Sequence, residues 1–342
     1  MSVKRVMIVT NSLTGGGAER SMNLLCNELT RRGWPVSLVP INSGQLDLIV
    51  PICEVFPLHR KWKDGIKSTV LALKQVNLIA KSWSPDVIVL NCDLSELFGA
   101  FLLGKYHLVA IEHTSNPWSQ RPTLGRFVRK VLAFRKVTWV AVSNHLSIWP
   151  KGDVPSKVLQ NPVTPGIESK SRKSKNLVKR LIFIGRLSQE KRPELALEIA
   201  LASSMELIII GNGVLRDHLE HQARSKAISV NFLGHIDDPW LEVQPGDLLI
   251  VPSAFEGDGL VVIEGLQENL PMLLADIPDF RRFRFPEKNY CASLTDFTSR
   301  IKEFRDDLGN LEVPATISKA LLFERNLEAI CSSWEVFLEQ EA

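Results

Sequence analysis

Short apolar runs rich in β-branched residues recur along the 342-residue chain, and amphipathic stretches fill the intervals between them. Residues 6–9, 36–39, 87–90, 108–111 and 139–142 each read as a strand buried on both faces. Between them, residues 21–32 and 66–81 carry apolar positions at helical spacing. This βα alternation predicts a parallel sheet wrapped by helices. Near Thr164 the pattern lapses into Pro165, Gly166 and a polar stretch rich in Ser and Lys, which reads as a linker over 164–179. The alternation then resumes, with strands at 181–184, 207–210, 230–233, 248–251 and 272–275. The expected fold class is α/β, with two Rossmann-like doubly wound domains over 1–163 and 180–325 facing each other across a cleft. A last helix over 326–342 is expected to pack back on the first domain.

Composition narrows the picture. With 45% hydrophobic and 23% charged residues, the chain has material for two buried cores and no disordered character. No apolar run approaches the length needed to cross a bilayer, and the start leads directly into a strand, so a cytoplasmic location is expected. The five cysteines are scattered and odd in number, which excludes a disulfide framework or a zinc site. A net charge of +3 without a recognisable motif gives no reason to expect nucleic-acid binding.

The chemistry concentrates in loops that follow strands, where open α/β sheets bind their ligands. The richest stretch covers 252–266. Glycines break the chain at Gly257 and Gly259, and two carboxylates, Glu256 and Glu264, stand with seven residues between them. A helix opening near Gly259 would turn free N–H groups and a positive dipole end toward an anion, most often phosphate. Carboxylates beside such a helix start suit a nucleotide sugar, accepting hydrogen bonds from its hydroxyls. A helix-capping acid and a surface acid would leave the same letters.

After the first strand, Gly15, Gly16 and Gly17 let the backbone approach a ligand closely. A nicotinamide dinucleotide would want spaced glycines and an acid ending the second strand, which instead ends in Pro40, Ile41 and Asn42. The spacing from Gly99 to Lys105 imitates a P-loop but lacks the following Ser or Thr, and reads as a helix end. His113 closes the fourth strand, either at the cleft edge or as a plain surface histidine. Arg186 and Lys191 follow the first strand of the second domain and could converge on a diphosphate, or form a solvated basic loop. Pro193 suits an early helical position there. Gly211 and Gly213 follow the next strand and open a helix; Leu233, Gly234 and Ile236 follow the one after. Glu256 and Asp258 could hold a divalent cation, but the helix start, Arg186 and Lys191 already supply positive charge, so neither metal nor cofactor is expected.

Taken together, Gly15 to Glu19, His113, Ala141, Val142 and Ser143, Asn161 with its following Pro-Val, Gly185 and Arg186 with Lys191, and the Glu256 to Glu264 block resemble a GT-B glycosyltransferase of the retaining family 4, the group 1 glycosyltransferases. The resemblance covers nearly the whole chain. It implies transfer of a sugar from a nucleotide-activated donor, a UDP-hexose or UDP-N-acetylhexosamine, to a glycan or lipid-linked acceptor in cell-surface polysaccharide or glycolipid synthesis. It further implies that Glu264 binds the ribose hydroxyls, that Glu256 holds the donor sugar, and that Gly259, Leu260 and Val261 offer N–H groups to phosphate. Arg186 and Lys191 would neutralise the leaving diphosphate, and Gly16 and Gly17 would approach it from the first domain. His113 would sit near the transferred sugar, Gly211, Gly213, Leu233, Gly234 and Ile236 on the donor side, and Ser143 and Asn161 on the acceptor side. Stabilising the departing charge suffices for such a transfer, with same-face attack inside an ion pair; no convincing carboxylate nucleophile stands out. Asp258 departs from the pattern, standing where relatives carry an aromatic or apolar residue, and an acid there would repel phosphate unless turned aside. That departure keeps a catalytically silent nucleotide-sugar-binding subunit as an alternative, beside a sugar-nucleotide epimerase on the same fold.

Residues 121–136 hold six basic side chains and no acid, interleaved with Phe127, Val128, Val131, Leu132 and Phe134. As a helix this segment could rest on anionic lipid at the inner face of a membrane, or be a solvated basic face.

Overall fold

The computed structural model describes residues 4–13, 16–42, 50–58, 60–61, 64–163, 177–306, 311 and 313–340. Gly15 and the first thirteen residues of the expected linker, 164–176, lie outside them. The chain divides into two compact units, Met1–Thr164 with Arg325–Ala342, and Pro165–Glu324.

In the first unit, strands β1 (Val6–Thr10), β2 (Val36–Pro40), β3 (Glu54–Val55), β4 (Val87–Asn91), β5 (His107–Glu112), β6 (Thr138–Ala141) and β7 (Lys157–Val158) form one parallel sheet in the order β3-β2-β1-β4-β5-β6-β7. Helices α1 (Gly17–Arg31), α2 (Ile66–Trp83), α3 (Asp93–Ala100) and α4 (Pro122–Phe134) lie between the strands in sequence. Val6 and Ile8 of β1 join Met22, Leu25 and Leu29 of α1 in one core, while Met7 and Val9 face Val76 and Ala80 of α2 and Phe98 of α3 in another. A strand with a core on each side has no polar face to show, which is why these segments read as unbroken apolar runs.

The second unit repeats the plan with β8 (Arg180–Ile184), β9 (Glu206–Ile210), β10 (Val230–Gly234), β11 (Asp247–Val251), β12 (Met272–Ala275) and β13 (Tyr290–Cys291), parallel in the order β10-β9-β8-β11-β12-β13. Its helices are α5 (Pro193–Ser203), α6 (Arg216–Ser225), α7 (Leu260–Gln267), the short α8 (Pro278–Arg281), α9 (Leu294–Phe304) and α10 (Ala315–Glu324). The chain then returns to the first unit as α11 (Leu327–Gln340), whose Ile330, Cys331, Trp334 and Phe337 enter the core shared with α1. Glu335 of α11 accepts from Arg32 at 2.8 Å and from the Trp34 indole at 2.9 Å. Burial of four such side chains, at roughly 1.5–3 kcal/mol each, holds the helix there.

All ten expected strands are present, and three two-residue strands, β3, β7 and β13, extend the sheets where no periodic run announces them. Helix α1 starts four residues earlier than the 21–32 reading, because Glu19 reaches back to accept from the Gly16 N–H at 3.1 Å and closes the first turn. Helix α6 begins at Arg216, so Gly211 and Gly213 do not open a helix as expected but belong to the preceding loop. In each sheet the strand order reverses beside the first strand, between β1 and β4 and between β8 and β11. These reversals are where the following loops diverge and leave room for a ligand.

Candidate active site

In the second unit the reversal point gathers most of the expected residues. The loop after β8 carries Arg186 and Lys191, and the loop after β11 carries Glu256; Lys191 Nζ donates to Glu256 Oε1, joining the two loops. Glu256 is buried and its Oε1 also accepts from Ser253 Oγ at 3.1 Å, while the Ala254 N–H donates to the Glu190 carbonyl at 2.8 Å. Arg186 is exposed, 4.0 Å from Glu190, with its guanidinium available to solvent anions. Pro193 occupies the first turn of α5, as its fixed φ favours. Ser188, on the same β8 loop, has a buried hydroxyl with no hydrogen-bond partner.

Helix α7 opens at Gly259, whose φ of +62° is a left-handed conformation that glycine adopts without strain. No side chain caps the helix and its first turn holds no acid, so its leading N–H groups and positive dipole end have no built-in counter-charge from the helix itself. Glu264 lies in the second turn, half-buried, accepting from the Trp240 indole at 3.3 Å. Asp258 is turned aside: its carboxylate lies 3.4 Å from Arg282, which also donates to the Asp258 carbonyl.

Gly211 and Gly213 serve packing. A Cβ on Gly211 would fall 1.9 Å from the Gly185 carbonyl oxygen, and one on Gly213 would fall 2.3 Å from that of Leu187. The loop after β9 is thereby pressed against the loop after β8, with Leu187 N–H donating to Asn212 O at 3.0 Å and Gly211 N–H to Gly234 O at 2.7 Å. Leu233 and Ile236 stay half-buried on the flank of this row.

In the first unit His113 follows β5, and its Nε2 lies 2.6 Å from Asn91 Oδ1 at the end of β4. Asn91 is fully buried and donates to Thr10 Oγ1 of β1 at 3.1 Å, so three neighbouring strands fix the imidazole. Gly16 caps α1 and Gly17 begins it, but the Gly16 N–H is already engaged by Glu19. Ser143 is buried 2.7 Å from His145 Nδ1, and the buried Asn161 accepts through its carbonyl from Arg325 at 3.3 Å. Those contacts give Ser143 and Asn161 structural work. Trp240 and Asn91 lie outside the motifs, and Ser253, Asp279 and Arg282 lie in stretches that stand out in the sequence without a role that the motifs assign to these side chains.

The basic segment 121–136 does not form one basic face. Arg129 points inward, 4% exposed, with Nη2 2.6 Å from Glu96 and Nη1 2.6 Å from Glu112. The Trp118 indole donates to Glu96 at 2.8 Å, and the Trp118 N–H to Asp93 at 2.8 Å. Burial pushes Glu96 up to about 7 and raises Asp93 and Glu112, while the two carboxylates outweigh burial at Arg129 and keep it firmly charged. One cation faces two buried acids, Glu96 and Glu112, and the half-buried Asp93, so the cluster carries an excess of carboxyl groups. Arg135 is likewise engaged, donating to the carbonyls of Leu102 and Gly104. On the outer side of α4, Arg126, Phe127, Lys130 and Phe134 are exposed. Among the described residues, no helix is long and apolar enough to cross a membrane.

Residues 167–293 match the family model for glycosyl transferases group 1. Over 283 residues the chain is 28% identical to the GalNAc-alpha-(1->4)-GalNAc-alpha-(1->3)-diNAcBac-PP-undecaprenol alpha-1,4-N-acetyl-D-galactosaminyltransferase of Campylobacter jejuni, a match covering 77% of this chain and 76% of that protein. Sucrose-phosphate synthase from Thermosynechococcus elongatus superposes with a TM-score of 0.79 at 15% identity, covering 98% of each chain. Anabaena HepE, solved with UDP and glucose, superposes with a TM-score of 0.76 at 19% identity over 98% of this chain and 100% of that one. The fold is GT-B, two parallel-sheet α/β domains.

Proposed function

We propose, on the premise that the chain is a group 1 glycosyltransferase, that it moves a hexose or N-acetylhexosamine from UDP to a lipid-linked glycan with retention at the anomeric carbon. The Lys191–Glu256 pair carries this reading, because it stands at the β8/β11 reversal beside the uncapped start of α7. There the N–H groups of Gly259, Leu260 and Val261 take the diphosphate, Arg186 and Lys191 offset the charge that grows on it, and Glu264 accepts from the ribose hydroxyls. Glu256 accepts from the donor sugar, while Leu233, Gly234 and Ile236 edge the base. His113, held by Asn91, serves the acceptor and the transferred sugar.

In this scheme the bond from the anomeric carbon to the phosphate oxygen breaks, the diphosphate leaves with the electron pair, and the acceptor hydroxyl attacks from the same face. Its proton passes to the departing phosphate oxygen. Donors fixed on developing charge supply about 2.7–4 kcal/mol each in comparable sites. Glu256, neutralised by Lys191 and bonded to Ser253, is a poor nucleophile, which favours this route over a covalent glycosyl intermediate. The undecaprenol-linked glycan in the name of the Campylobacter relative supports the acceptor class. Purified protein is to be incubated with UDP-GalNAc, UDP-GlcNAc, UDP-galactose and UDP-glucose and polyprenyl-diphosphate-linked glycans, with the product anomer assigned by NMR. Binding without transfer would favour a silent subunit, an altered donor would favour an epimerase, and an inverted linkage would remove retention.

A lipid-linked acceptor would bring the enzyme to a cytoplasmic membrane face, and the exposed apolar and basic residues of the first unit support such contact. Helix α2 holds three lysines and no acid, and Ile66, Val70, Leu71 and Leu78 are exposed along it. Asn77 of α2 and Arg135, just past α4, both bond the 101–104 segment, so α2 and the C-terminal end of α4 flank exposed Phe101 and Leu103. Such a surface suits anionic lipid. Co-sedimentation with liposomes should rise when anionic lipid is added; unchanged pelleting would discard the idea.

A further inference from the structure

The segment that leads into α7 carries two buried acids, Glu256 and Asp258, at the place where a diphosphate is to bind. Glu256 has Lys191. Asp258 faces Arg282, on the turn that follows α8. Arg282 Nη2 donates to the Asp258 carbonyl and lies 3.4 Å from its carboxylate Oδ1, and Arg282 Nε donates to the Asp279 carbonyl at 2.8 Å. The guanidinium is 4.6 Å above the Phe283 ring, which fixes its plane. Asp279 in turn accepts the Glu256 N–H through Oδ2 at 2.8 Å, so the 279–282 turn ties both ends of the acidic segment. Phe283 and Phe280 also close over Gly259, where an added Cβ would meet their rings at 3.1 Å and 3.4 Å.

From this arrangement we infer that Arg282 is a positioning residue for the donor diphosphate, neutralising Asp258 and holding the segment so that the start of α7 can accept an anion. The inference rests on the donor site proposed above and settles the conflict that Asp258 raises there. A carboxylate beside the helix start would oppose each negative charge of the ligand, since partly buried charges a few ångströms apart interact by whole kcal/mol. With Arg282 in place each acid of the segment has its own cation, and the helix dipole is left to the ligand. Asp258 is thus compatible with catalysis.

The test compares UDP with uridine, which shares the base and ribose but lacks the charge. Binding to the full-length protein is measured by calorimetry for wild type, Arg282→Gln, Asp258→Asn and the double variant. Arg282→Gln should weaken UDP about tenfold and uridine less than twofold, because the exposed Asp258 charge acts only on the anionic ligand. The double variant should recover UDP to within about threefold of wild type. Asp258→Asn alone leaves an extra cation and should tighten UDP a few-fold, which keeps the inference testable even where Arg282→Gln melts early. Equal losses for the two ligands, no recovery in the double variant, or weaker UDP binding to Asp258→Asn would each overturn it. A wild-type protein that binds neither UDP nor uridine would instead bring down the donor-site reading itself.

Discussion

Each unit places charged side chains beneath the carboxyl ends of its strands, but the two do so to opposite ends. In the second unit the cations sit at the rim, Arg186 exposed and Lys191 partly so, in front of the buried Glu256 and beside an uncapped helix. In the first unit Arg129, Glu96 and Glu112 are sealed in the core, with side-chain exposures of 3%, 1% and 1%. Charge at a rim can meet a ligand; charge in a core can only hold elements together, here α3, β5 and α4. The contrast teaches that the same residue types serve chemistry or architecture according to whether solvent, and therefore substrate, can reach them.

The strongest way to break this comparison is to remove the buried cation. Arg129→Leu would leave Glu96 and Glu112 without their counter-cation, and losing one member of a buried ion cluster costs about 3–5 kcal/mol. Urea unfolding should register that loss, while UDP affinity, measured where the variant is still folded, should stay within about twofold. A variant of wild-type stability would show the cluster to be idle. The rim should behave in reverse. Lys191→Ala should lower kcat by about a hundredfold to a thousandfold with a much smaller change in unfolding free energy, since the leaving charge develops only in the transition state. Should kcat hold and stability fall, Lys191 would be moved to the architectural class.

A smaller effect sharpens the rim assignment. Glu264→Ala should weaken UDP about tenfold, the worth of a charge-assisted hydrogen bond, with kcat nearly kept. Trp240→Phe removes the 3.3 Å indole contact to Glu264 and leaves the carboxylate in place, so its effect on UDP should be a fraction of that. If Trp240→Phe weakened binding more than Glu264→Ala, Trp240 would be acting on the ligand by a path of its own.

These differences also explain what could be read in the letters. The central strands were legible because both faces are buried, which forces apolar runs; the two-residue strands β3, β7 and β13 were not, since pairing at a sheet edge demands so little of the sequence. Lys191 and Glu256 were legible because strand-end loops at a reversal gather chemistry in short, ordered blocks. Arg129 misled, for its partners Glu96 and Glu112 lie 33 and 17 residues away and only the fold unites them. The pairing of Arg282 with Asp258, 24 residues apart, is equally invisible in the sequence. Gly211 and Gly213 have a packing reason that the sequence does not show, since the backbone of the neighbouring loop lies 1.9 Å and 2.3 Å from where their Cβ atoms would be.

The excess of acid in the first unit should also leave a pH signature, the smallest of the expected effects. Burial raises Glu96 to about 7 from an ordinary 4.5, and raises Asp93 and Glu112 as well, so the folded cluster retains a proton that the unfolded chain has lost. A raised carboxyl pKa contributes stability that is complete below pH 4.5 and is lost as pH climbs toward 7. Unfolding free energy should therefore fall between about pH 5 and 7, by at most the roughly 1.4 kcal/mol per pH unit that one whole proton gives, with the slope flattening as pH nears 7. Glu96→Gln, which stays neutral throughout, should flatten that slope in urea titrations followed by tryptophan fluorescence, Trp118 lying against the site. A slope unchanged by Glu96→Gln would mean that the proton resides on Glu112 or Asp93, and a slope of opposite sign would mean that Arg129 holds all three acids ionised and that the core carries the same fixed charge at every working pH.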